Sequence, residues 1–579
     1  MSETRIVRVT GALVEAEPMP GAFVQELVRG GERRLFGEVI RIERQRATIQ
    51  VYEETTGLRL GEPVAAGRSG LEAQLGPGLL GSILDGIGRP LARIAELTGD
   101  FIPSGIDTPS LDPTRRFSFV PSVAEGAVVE SGDVLGFVEE RPGVQHAVLV
   151  PPGVGGTVSA IEAGELTVEE ALGSLEEGDV LRLAHRWPIR RPRPWSKRLV
   201  PDRPLLTGQR IFDFLFPVAE GGSVSVPGGF GTGKTVIEQS LLKFADADIV
   251  VFVGCGERGN EIADVLDELP RLVDPRTGRS ILDRSVLVVN TSNMPVAARE
   301  ASIYLGMTIG EYYRDMGLRV AVMADSLSRW AEALREIGSR LQEMPGEEGY
   351  PTYLANRLGK IYERTGRIRA LGTPEREGSL TFIGAISPPG GDFSEPVTQA
   401  TLRVVGSLWA LDASLAHQRQ FPAVDWETSF SLYADGLMPW FERAAGADWP
   451  RIRRDTLSIL QRERETRDIA GLVGPEALQD RDRLVLEAGR LVREVVIEQS
   501  AFQPHDASSS VEKTYRLASL SHGFFRRASE ALESGAAFES LGLASARQAI
   551  AALRTAAPEE LDSVTDAARK AVEGIGQRA

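Results

Sequence analysis

The stretch that most limits what this chain can fold into is residues 228–235, Gly-Gly-Phe-Gly-Thr-Gly-Lys-Thr. It matches the spacing G-x-x-x-x-G-K-[ST] at every fixed position. Residues 223–226 before it predict a short strand closed by Pro227, and residues 236–242 after it predict a helix with one apolar face. Strand, glycine loop and helix together let backbone N–H groups surround an anion at the positive end of the helix. The flanks favour a nucleoside triphosphate site over a chance match among the 61 glycines.

This motif assigns specific ligands. Lys234 is predicted to reach the β- and γ-phosphates, and the Thr235 hydroxyl is predicted to bind Mg²⁺. The backbone and side chains of the loop and of the first helical turn make up the rest of the predicted phosphate site. These nucleotide-binding residues are Gly228, Gly229, Phe230, Gly231, Thr232, Gly233, Lys234, Thr235 and Val236.

Length and charge limit the class of protein. A chain of 579 residues is too long for one compact domain. The formal net charge of -16 argues against general nucleic-acid binding. The single cysteine, Cys255, excludes an internal disulfide and suits a reducing compartment. Residues 1–5 lack the apolar core of a signal peptide, and no apolar run is long enough to span a bilayer. We therefore expect a cytoplasmic protein without direct membrane insertion, which associates with a membrane only through partner subunits.

The patterning predicts a multidomain α/β protein. Short alternating strands predict an N-terminal β-barrel over 1–72, followed by a connecting segment over 73–116. Valine, glycine and proline predict an inserted, β-rich bulge module over 117–188. Alternating buried strands and helices predict a P-loop parallel-sheet nucleotide domain over 189–437. Helical periodicity predicts a C-terminal helical domain over 438–579.

Three local features carry their own interpretations. Residues 75–86 look like a turn followed by a short helix. His146 is interpreted as a structural side chain rather than a metal ligand, because a lone His is more often structural. Residues 190–194, Arg-Arg-Pro-Arg-Pro, are interpreted as a rigid linker with solvated arginines rather than a nucleic-acid patch.

Two carboxylates near strand ends are candidates for chemistry. Asp325 closes the apolar run 320–324, the pattern of the second Mg²⁺-site carboxylate in P-loop enzymes. Glu257 follows the strand predicted at 249–253 and can orient the attacking water, while Arg258 can contact developing negative charge. The alternative for both is a surface ion pair that opens a helix, and the residue pattern leaves that choice open. Cys255 beside them is interpreted as a buried, inert thiol.

The motifs together resemble one family over nearly the whole chain. The phosphate loop, Gly-Glu-Arg-Gly-Asn-Glu at 256–261 and Ala-Asp-Ser-Leu-Ser-Arg-Trp at 324–330 resemble the catalytic A subunit of vacuolar/archaeal-type rotary ATPases. Residues 204–210, 346–351 and 387–396 resemble further segments of that protein class, and the module at 117–188 resembles its characteristic insertion. The resemblance implies a RecA-like nucleotide domain.

The resemblance also implies a role for each matching residue. It places Lys234 on the phosphates, Thr235 and Asp325 at Mg²⁺, Glu257 on the attacking water and Arg258 against the phosphates. The adenine ring would lie between two aromatic side chains, Phe421 and Phe502. Gly229 departs from the family's usual proline, and residues 498–505 depart from its amide-rich stretch.

The implied function is ATP hydrolysis or synthesis with Mg²⁺, using ATP and ADP as substrates, coupled to H⁺ or Na⁺ transport. The implied partners are a homologous non-catalytic B subunit that supplies an arginine finger, central and peripheral stalk subunits, and, through these, a membrane sector on its cytoplasmic face. A homohexameric translocase of the same superfamily is the first alternative, but the barrel region has few aromatic residues to stack on a nucleic acid. A regulatory subunit without turnover is the second, and it predicts a lost Lys234 or Glu257, both of which are present.

Overall fold

The computed structural model describes residues 3–99 and 102–577. Residues 1–2, 100–101 and 578–579, on which parts of the predicted N-terminal, connecting and C-terminal segments fall, lie outside the described residues. The chain divides into two compact units. Unit one contains residues 1–200, 247–388 and 392–404, and unit two contains residues 201–246, 389–391 and 405–579.

Strands fill the first third of the chain and then alternate with helices. In chain order they are β1 Arg5–Thr10, β2 Leu13–Glu17, β3 Leu27–Gly30, β4 Leu35–Glu43, β5 Arg46–Val51, β6 Val64–Ala66, β7 Glu72–Leu75, β8 Ile83–Asp85, β9 Phe117–Pro121, β10 Val128–Val129, β11 Val134–Arg141, β12 Val144–Leu149, β13 Gly156–Ile161, β14 Gly164–Leu166, β15 Ala171–Leu175, β16 Val180–Arg182, β17 His185–Pro188, β18 Lys197–Arg198, β19 Pro204–Leu205, β20 Val218–Ala219, β21 Ser223–Pro227, β22 Ile249–Glu257, β23 Ser285–Thr291, β24 Arg319–Asp325, β25 Gly366–Arg369, β26 Glu377–Ile386, β27 Ser407–Leu408 and β28 Phe430–Ser431.

Helices dominate the last quarter of the chain. In chain order they are α1 Leu91–Thr98, α2 Lys234–Phe244, α3 Gly259–Glu268, α4 Val296–Asp315, α5 Leu327–Arg340, α6 Leu354–Tyr362, α7 Pro396–Leu402, α8 Ala413–His417, α9 Ala434–Ala444, α10 Trp449–Val473, α11 Asp480–Val492, α12 Val511–Glu533, α13 Leu543–Ala552 and α14 Leu561–Glu573. Among the residues that the structure describes, no helix has both the length and the apolar character needed to cross a membrane.

Unit one begins with a closed antiparallel barrel in the strand order β1-β2-β5-β4-β3-β6. The Ile6 N–H donates to the Glu62 carbonyl and the Val64 N–H donates to the Thr4 carbonyl, each at 2.9 Å, and these bonds close the sheet. Period-2 alternation places the inward side chains of β1, β4 and β5 in one apolar core that includes Ile6, Val39 and Ile49. The barrel predicted from the alternating strands is therefore confirmed.

Residues 117–182 form two small antiparallel sheets, ordered β10-β13-β15-β16 and β12-β11-β9-β14. Their valines and leucines alternate between a buried face and an exposed face. The inserted β module is confirmed.

Unit one also carries a parallel sheet ordered β8-β23-β22-β24-β26. Strands β22 and β24 are buried apolar runs, as expected for strands covered on both faces. Their register pairs Gly254 with Asp325, so the carboxyl ends of the two strands lie side by side. The predicted parallel α/β architecture is confirmed.

Two interpretations from the sequence are wrong. Residues 83–85, expected within a short helix, form strand β8, which pairs in parallel with β23, and the helix begins later, at Leu91. The arginines of 190–194 are not all solvated, because two of them are held in ion pairs inside unit one. Arg190 bonds the carboxylates of Glu38 and Glu300, and the buried Arg193 bonds Asp315. Buried carboxylates supplied by distant segments draw these arginines inward, and a local composition argument cannot detect such partners.

Unit two pairs β21 in parallel with β27, and β28 in antiparallel with β27. Helix α2 follows β21 after the glycine loop, and helices α9–α14 pack against one another in succession. The predicted apolar stripes are buried, including Leu484, Ala488 and Leu491 on α11 and Leu517 on α12. The C-terminal helical domain is confirmed.

Candidate nucleotide-binding site

The glycine loop of unit two has the backbone shape of an anion cradle. Gly231 and Gly233 adopt φ of +78° and +85°, which side-chain-bearing residues rarely adopt. The Thr232 hydroxyl donates to the Gly229 carbonyl at 2.8 Å and closes the loop on itself. A Cβ atom at Gly228 would lie 2.7 Å from the Thr232 hydroxyl oxygen, so only glycine fits there. The loop therefore directs the first N–H groups of α2 at the space that a phosphate would fill.

The predicted phosphate and metal ligands lie where the loop meets the helix. Lys234 and Thr235 are the first two residues of α2, and the Thr235 side chain is exposed. Phe230 at the loop tip is 86% exposed. Val236 follows in the first turn and is also exposed. Each is accessible to a ligand.

An apolar cavity of about 360 Å³ borders this loop, and all of its lining belongs to unit two. That volume lies within the range of small-molecule sites in proteins. The lining comes from α2, from the loop before β28, from the segment after α11 and from the turn after α13; it consists of Gln209, Thr232, Gly233, Val236, Ile237, Ser240, Arg419, Phe421, Pro422, Glu498, Gln499, Ser500, Ala501, Phe502 and Arg554.

The structure brings the two predicted aromatic residues together in this cavity. Phe421 is 46% exposed and Phe502 is 92% exposed, although both are large apolar side chains. A Cβ atom built on Gly233 would lie 3.7 Å from the Phe421 ring, which places that ring beside the phosphate loop. Exposed aromatic faces around a cavity of this size suit a planar base.

Sequence reasoning missed the residues that hold this cavity in shape. The buried Gln499 accepts the Arg210 N–H at 2.8 Å, donates its side-chain N–H to the Gly208 carbonyl at 2.8 Å and donates its backbone N–H to the Phe421 carbonyl at 2.9 Å. Arg419 lines the cavity with a φ of +62°, a left-handed conformation for a residue with a side chain. Positive φ and long-range amide bonds leave no periodic signal in a sequence.

A buried charge cluster supports the cavity from below. Asp506 accepts from Arg210 at 2.7 Å, from Arg554 at 2.9 Å and from the Ser500 N–H at 2.9 Å. Burial pushes the pKa of Asp506 upward, but Arg210, the Ser500 N–H and Arg554 together bring it below the ordinary value. Because Arg554 and Ser500 also line the cavity, the cluster fixes two parts of its wall.

The predicted catalytic carboxylates lie in unit one, on neighbouring strands. Glu257 ends β22 and is half-buried, and the exposed Arg258 follows it directly before α3. Asp325 ends β24 and is half-buried. Because β22 and β24 are paired in parallel, these side chains come from the same edge of the sheet. Ligands of open α/β sheets bind at this edge.

The two side chains with bland interpretations behave as expected. Cys255 is buried, its thiol contacts the Arg299 carbonyl at 3.5 Å, and burial raises the pKa of the thiol to about 12. His146 is buried between Glu140, at 2.7 Å, and the Tyr312 hydroxyl, at 2.8 Å. Both interpretations as structural side chains are confirmed. The described part of the chain contains no group of three or more His, Cys, Asp or Glu side chains that could hold a metal ion on their own.

Fold and loop together define a P-loop nucleotide-binding protein of the ATP synthase alpha/beta type. The ATP synthase alpha/beta family nucleotide-binding domain matches residues 208–431, and the beta-barrel domain of that family matches residues 6–66. The alpha/beta subunit barrel-sandwich domain matches residues 108–190. The C-terminal domain of V and A type ATP synthases matches residues 438–541.

Individual relatives narrow this class. The V-type ATP synthase alpha chain of Anaeromyxobacter dehalogenans strain 2CP-C is 57% identical over 93% of this chain and 92% of its own length. The corresponding catalytic chain of the A-type ATP synthase of Methanopyrus kandleri is 54% identical over 92% of this chain and 90% of its own. The chain belongs to this family, the catalytic A (alpha) subunits of V/A-type ATP synthases.

A solved structure shares the fold at lower identity. The assembled ATPase EscN from the enteropathogenic E. coli type III secretion system superposes with a TM-score of 0.64 at 22% identity, over 90% of this chain and all of that chain. At this identity the likeness shows the fold alone.

Proposed function

We propose that this chain binds Mg²⁺-ATP through its phosphate loop and hydrolyses or synthesises ATP at an interface with a homologous B subunit. As a member of its family it is an ATP hydrolase or synthase, the catalytic subunit of a V/A-type ATPase. The observation that carries the proposal is the anion cradle at 228–235 bordering a cavity with two exposed aromatic side chains. One end suits a polyphosphate and the other suits a base.

The proposal gives each predicted residue one role. Lys234 neutralises the β- and γ-phosphates, and the loop N–H groups bind their oxygens. Glu257 orients the attacking water and accepts its proton, and Arg258 contacts the phosphates. Phe421 and Phe502 flank the adenine ring. An arginine finger from the neighbouring B subunit supplies the remaining transition-state charge.

The residues assigned to Mg²⁺ fit its chemistry. Mg²⁺ prefers oxygen ligands and is usually held by one or two side chains together with water and substrate phosphates. Thr235 offers a hydroxyl and Asp325 a carboxylate, and both are accessible. When bound, Mg²⁺ neutralises charge on the phosphate oxygens. In this proposal Thr235 and Asp325 hold the ion.

The assembly is proposed on the same grounds. Alternation with B subunits in a hexameric head, contacts to central and peripheral stalks, and an ion-translocating sector reached through those stalks would place the chain on the cytoplasmic face of a membrane. Copies of this chain tagged in the native host should copurify with membrane subunits and with a homologous but non-identical partner subunit. Recovery of a complex made of this chain alone would overturn the assembly and favour a homohexamer.

The catalytic role of Glu257 is tested in the same complex. Glu257→Gln keeps the size of the side chain but removes the base, so ATP hydrolysis should fall by about 100-fold to 10,000-fold while ATP binding persists. Asp267→Asn is the matched control, because Asp267 lies on α3 with its side chain 82% exposed. Hydrolysis by Glu257→Gln within a few-fold of the control would remove Glu257 from its assigned role.

A further inference from the structure

The base end of the cavity carries a carboxyl group that the family resemblance assigns to nothing. Glu498 lines the cavity beside Gln499 and Ser500, in the segment that departs from the family's amide-rich pattern. Its backbone is already engaged: the N–H donates to the Arg493 carbonyl at 2.8 Å, and the carbonyl accepts the Arg210 guanidinium at 2.5 Å. In the part of the chain that the structure describes, no hydrogen bond to its carboxyl group is found.

The other strongly hydrogen-bonding side chains of the lining are committed elsewhere. Both ends of the Gln499 amide bond backbone groups, and the Gln209 amide N–H donates to the Ala507 carbonyl at 3.0 Å. The Thr232 hydroxyl donates to the Gly229 carbonyl, and Arg554 donates to Asp506. Glu498 therefore differs from these neighbours in having an unengaged acceptor.

The chemistry of the remaining polar groups singles out Glu498 further. The hydroxyls of Ser240 and Ser500 can donate or accept, so they do not distinguish an amino substituent from a keto substituent. The Arg419 guanidinium only donates, which favours a keto oxygen. An ionised carboxylate only accepts, so it pairs with an amino group and repels a keto oxygen.

Resting on the proposed function, we propose that Glu498 is a specificity-determining residue, which accepts a hydrogen bond from the 6-amino group of adenine and rejects 6-oxopurines. Phe421 and Phe502 supply affinity for any planar base, and Glu498 supplies the choice among bases. A site built to pair with one polar group discriminates strongly against an analogue that presents the opposite group.

The electrostatic surroundings agree with this placement. Burial raises the pKa of Glu498 and Glu494 adds to the rise, while Arg554, itself part of the cavity wall, acts against it. A partly desolvated carboxyl group within reach of a wall-forming guanidinium makes stronger hydrogen bonds than one in bulk water.

The test compares ATP with inosine triphosphate, which differs from ATP in carrying a 6-oxo group in place of the 6-amino group. Dissociation constants of the full chain are measured by calorimetry for both nucleotides and for inorganic tripolyphosphate, which lacks a base. The wild type is expected to prefer ATP by about 10-fold or more, the range of one charge-assisted hydrogen bond. Glu498→Gln should bind ATP within about threefold of wild type but bring the preference near unity, because its amide can present either a donor or an acceptor.

Two further variants separate this role from a structural one. Glu498→Ala should also lose the preference and should bind ATP about 10-fold more weakly, with tripolyphosphate binding unchanged. Glu494→Gln, four residues earlier and outside the cavity lining, should keep the wild-type preference.

The outcomes distinguish the two proposals. An unchanged ATP preference in both Glu498 variants, an equal loss in Glu494→Gln, or a wild type without preference would overturn the role of Glu498. Failure of the wild-type chain to bind tripolyphosphate and both nucleotides would instead count against the proposed nucleotide function itself.

Discussion

The backbone N–H of Gln499 donates to the carbonyl oxygen of Phe421 at 2.9 Å, which ties the aromatic wall of the cavity to a segment 78 residues further along the chain. The Gln499 side chain is buried and bonds the Arg210 N–H and the Gly208 carbonyl. One residue therefore holds three stretches of unit two in register.

This relationship predicts that Gln499→Leu weakens nucleotide binding although Gln499 makes no aromatic contact. The change leaves the Arg210 N–H without its acceptor, at a cost of about 1–3 kcal/mol, and frees the segment that positions Phe421. We expect ATP affinity to fall by about 10-fold, measured by calorimetry. Gln503→Leu, an exposed glutamine in the same segment, is the control. Equal affinities in the two variants would show that Gln499 does not support the cavity.

The two aromatic side chains predict a separation of binding from stability. Phe502 is 92% exposed, so Phe502→Ala should change the free energy of unfolding by less than about 0.5 kcal/mol. Base stacking contributes about 1–3 kcal/mol per aromatic side chain, so ATP affinity should fall by about 5-fold to 100-fold. Tripolyphosphate affinity should stay at the wild-type value. If tripolyphosphate binding falls in parallel with ATP binding, Phe502 acts on the loop rather than on a base.

The features that could be predicted from the sequence are those with local signals. The phosphate loop has fixed spacing, and its glycines at 231 and 233 adopt the positive φ that the motif requires. Strands β22 and β24 are short apolar runs, and their parallel pairing follows from the helices between them. The polar residues at both strand ends were therefore correctly expected at one edge of the sheet.

The features that could not be predicted depend on partners distant in sequence. Arg190 looked solvated because its neighbours are prolines, but Glu38 and Glu300 come from segments more than 100 residues away on either side. Strand β8 has only three residues, and its identity depends on pairing with β23. The cavity support by Gln499 likewise rests on backbone partners near residue 210.

Asp213 predicts a pH dependence inside unit two. It accepts from the Thr207 and Gly208 N–H groups at 2.8 and 2.9 Å, yet burial raises its pKa from 3.8 to about 7. Because the folded pKa lies above the unfolded value, the stability that this group contributes is fully present below about pH 4 and is lost as pH rises through about 7.

The measurement is hydrogen exchange of the Thr207 and Gly208 amides, corrected for intrinsic rates. Between about pH 5 and about pH 7 their protection should fall by about 1.4 kcal/mol per pH unit and then level off. Asp213→Asn removes the titration and should show a flat profile. The same slope in wild type and variant would assign the effect to another group.

Glu140 predicts how firmly the inserted module is held in unit one. Its buried carboxylate accepts from the Gly78 and Leu80 N–H groups at 2.8 and 2.9 Å, from the Tyr313 hydroxyl at 3.0 Å and from His146 at 2.7 Å. Burial pushes its pKa upward, but His146 and the backbone N–H groups bring the pKa below the ordinary value. The carboxylate thus joins the β11–β12 hairpin to the connecting segment and to α4.

Removing this carboxylate leaves several buried donors without an acceptor. We expect Glu140→Ala to lower the free energy of local opening by about 3–5 kcal/mol, seen as faster hydrogen exchange at Gly78 and Leu80 and faster proteolysis within residues 117–188. Glu139→Ala is the matched control, because the adjacent Glu139 side chain is exposed and accepts from the Gly143 N–H at 2.8 Å. That control should cost less than about 1 kcal/mol. Since the two variants remove the same group one residue apart, equal protection in both would mean that the buried bonds to Glu140 do not hold the module.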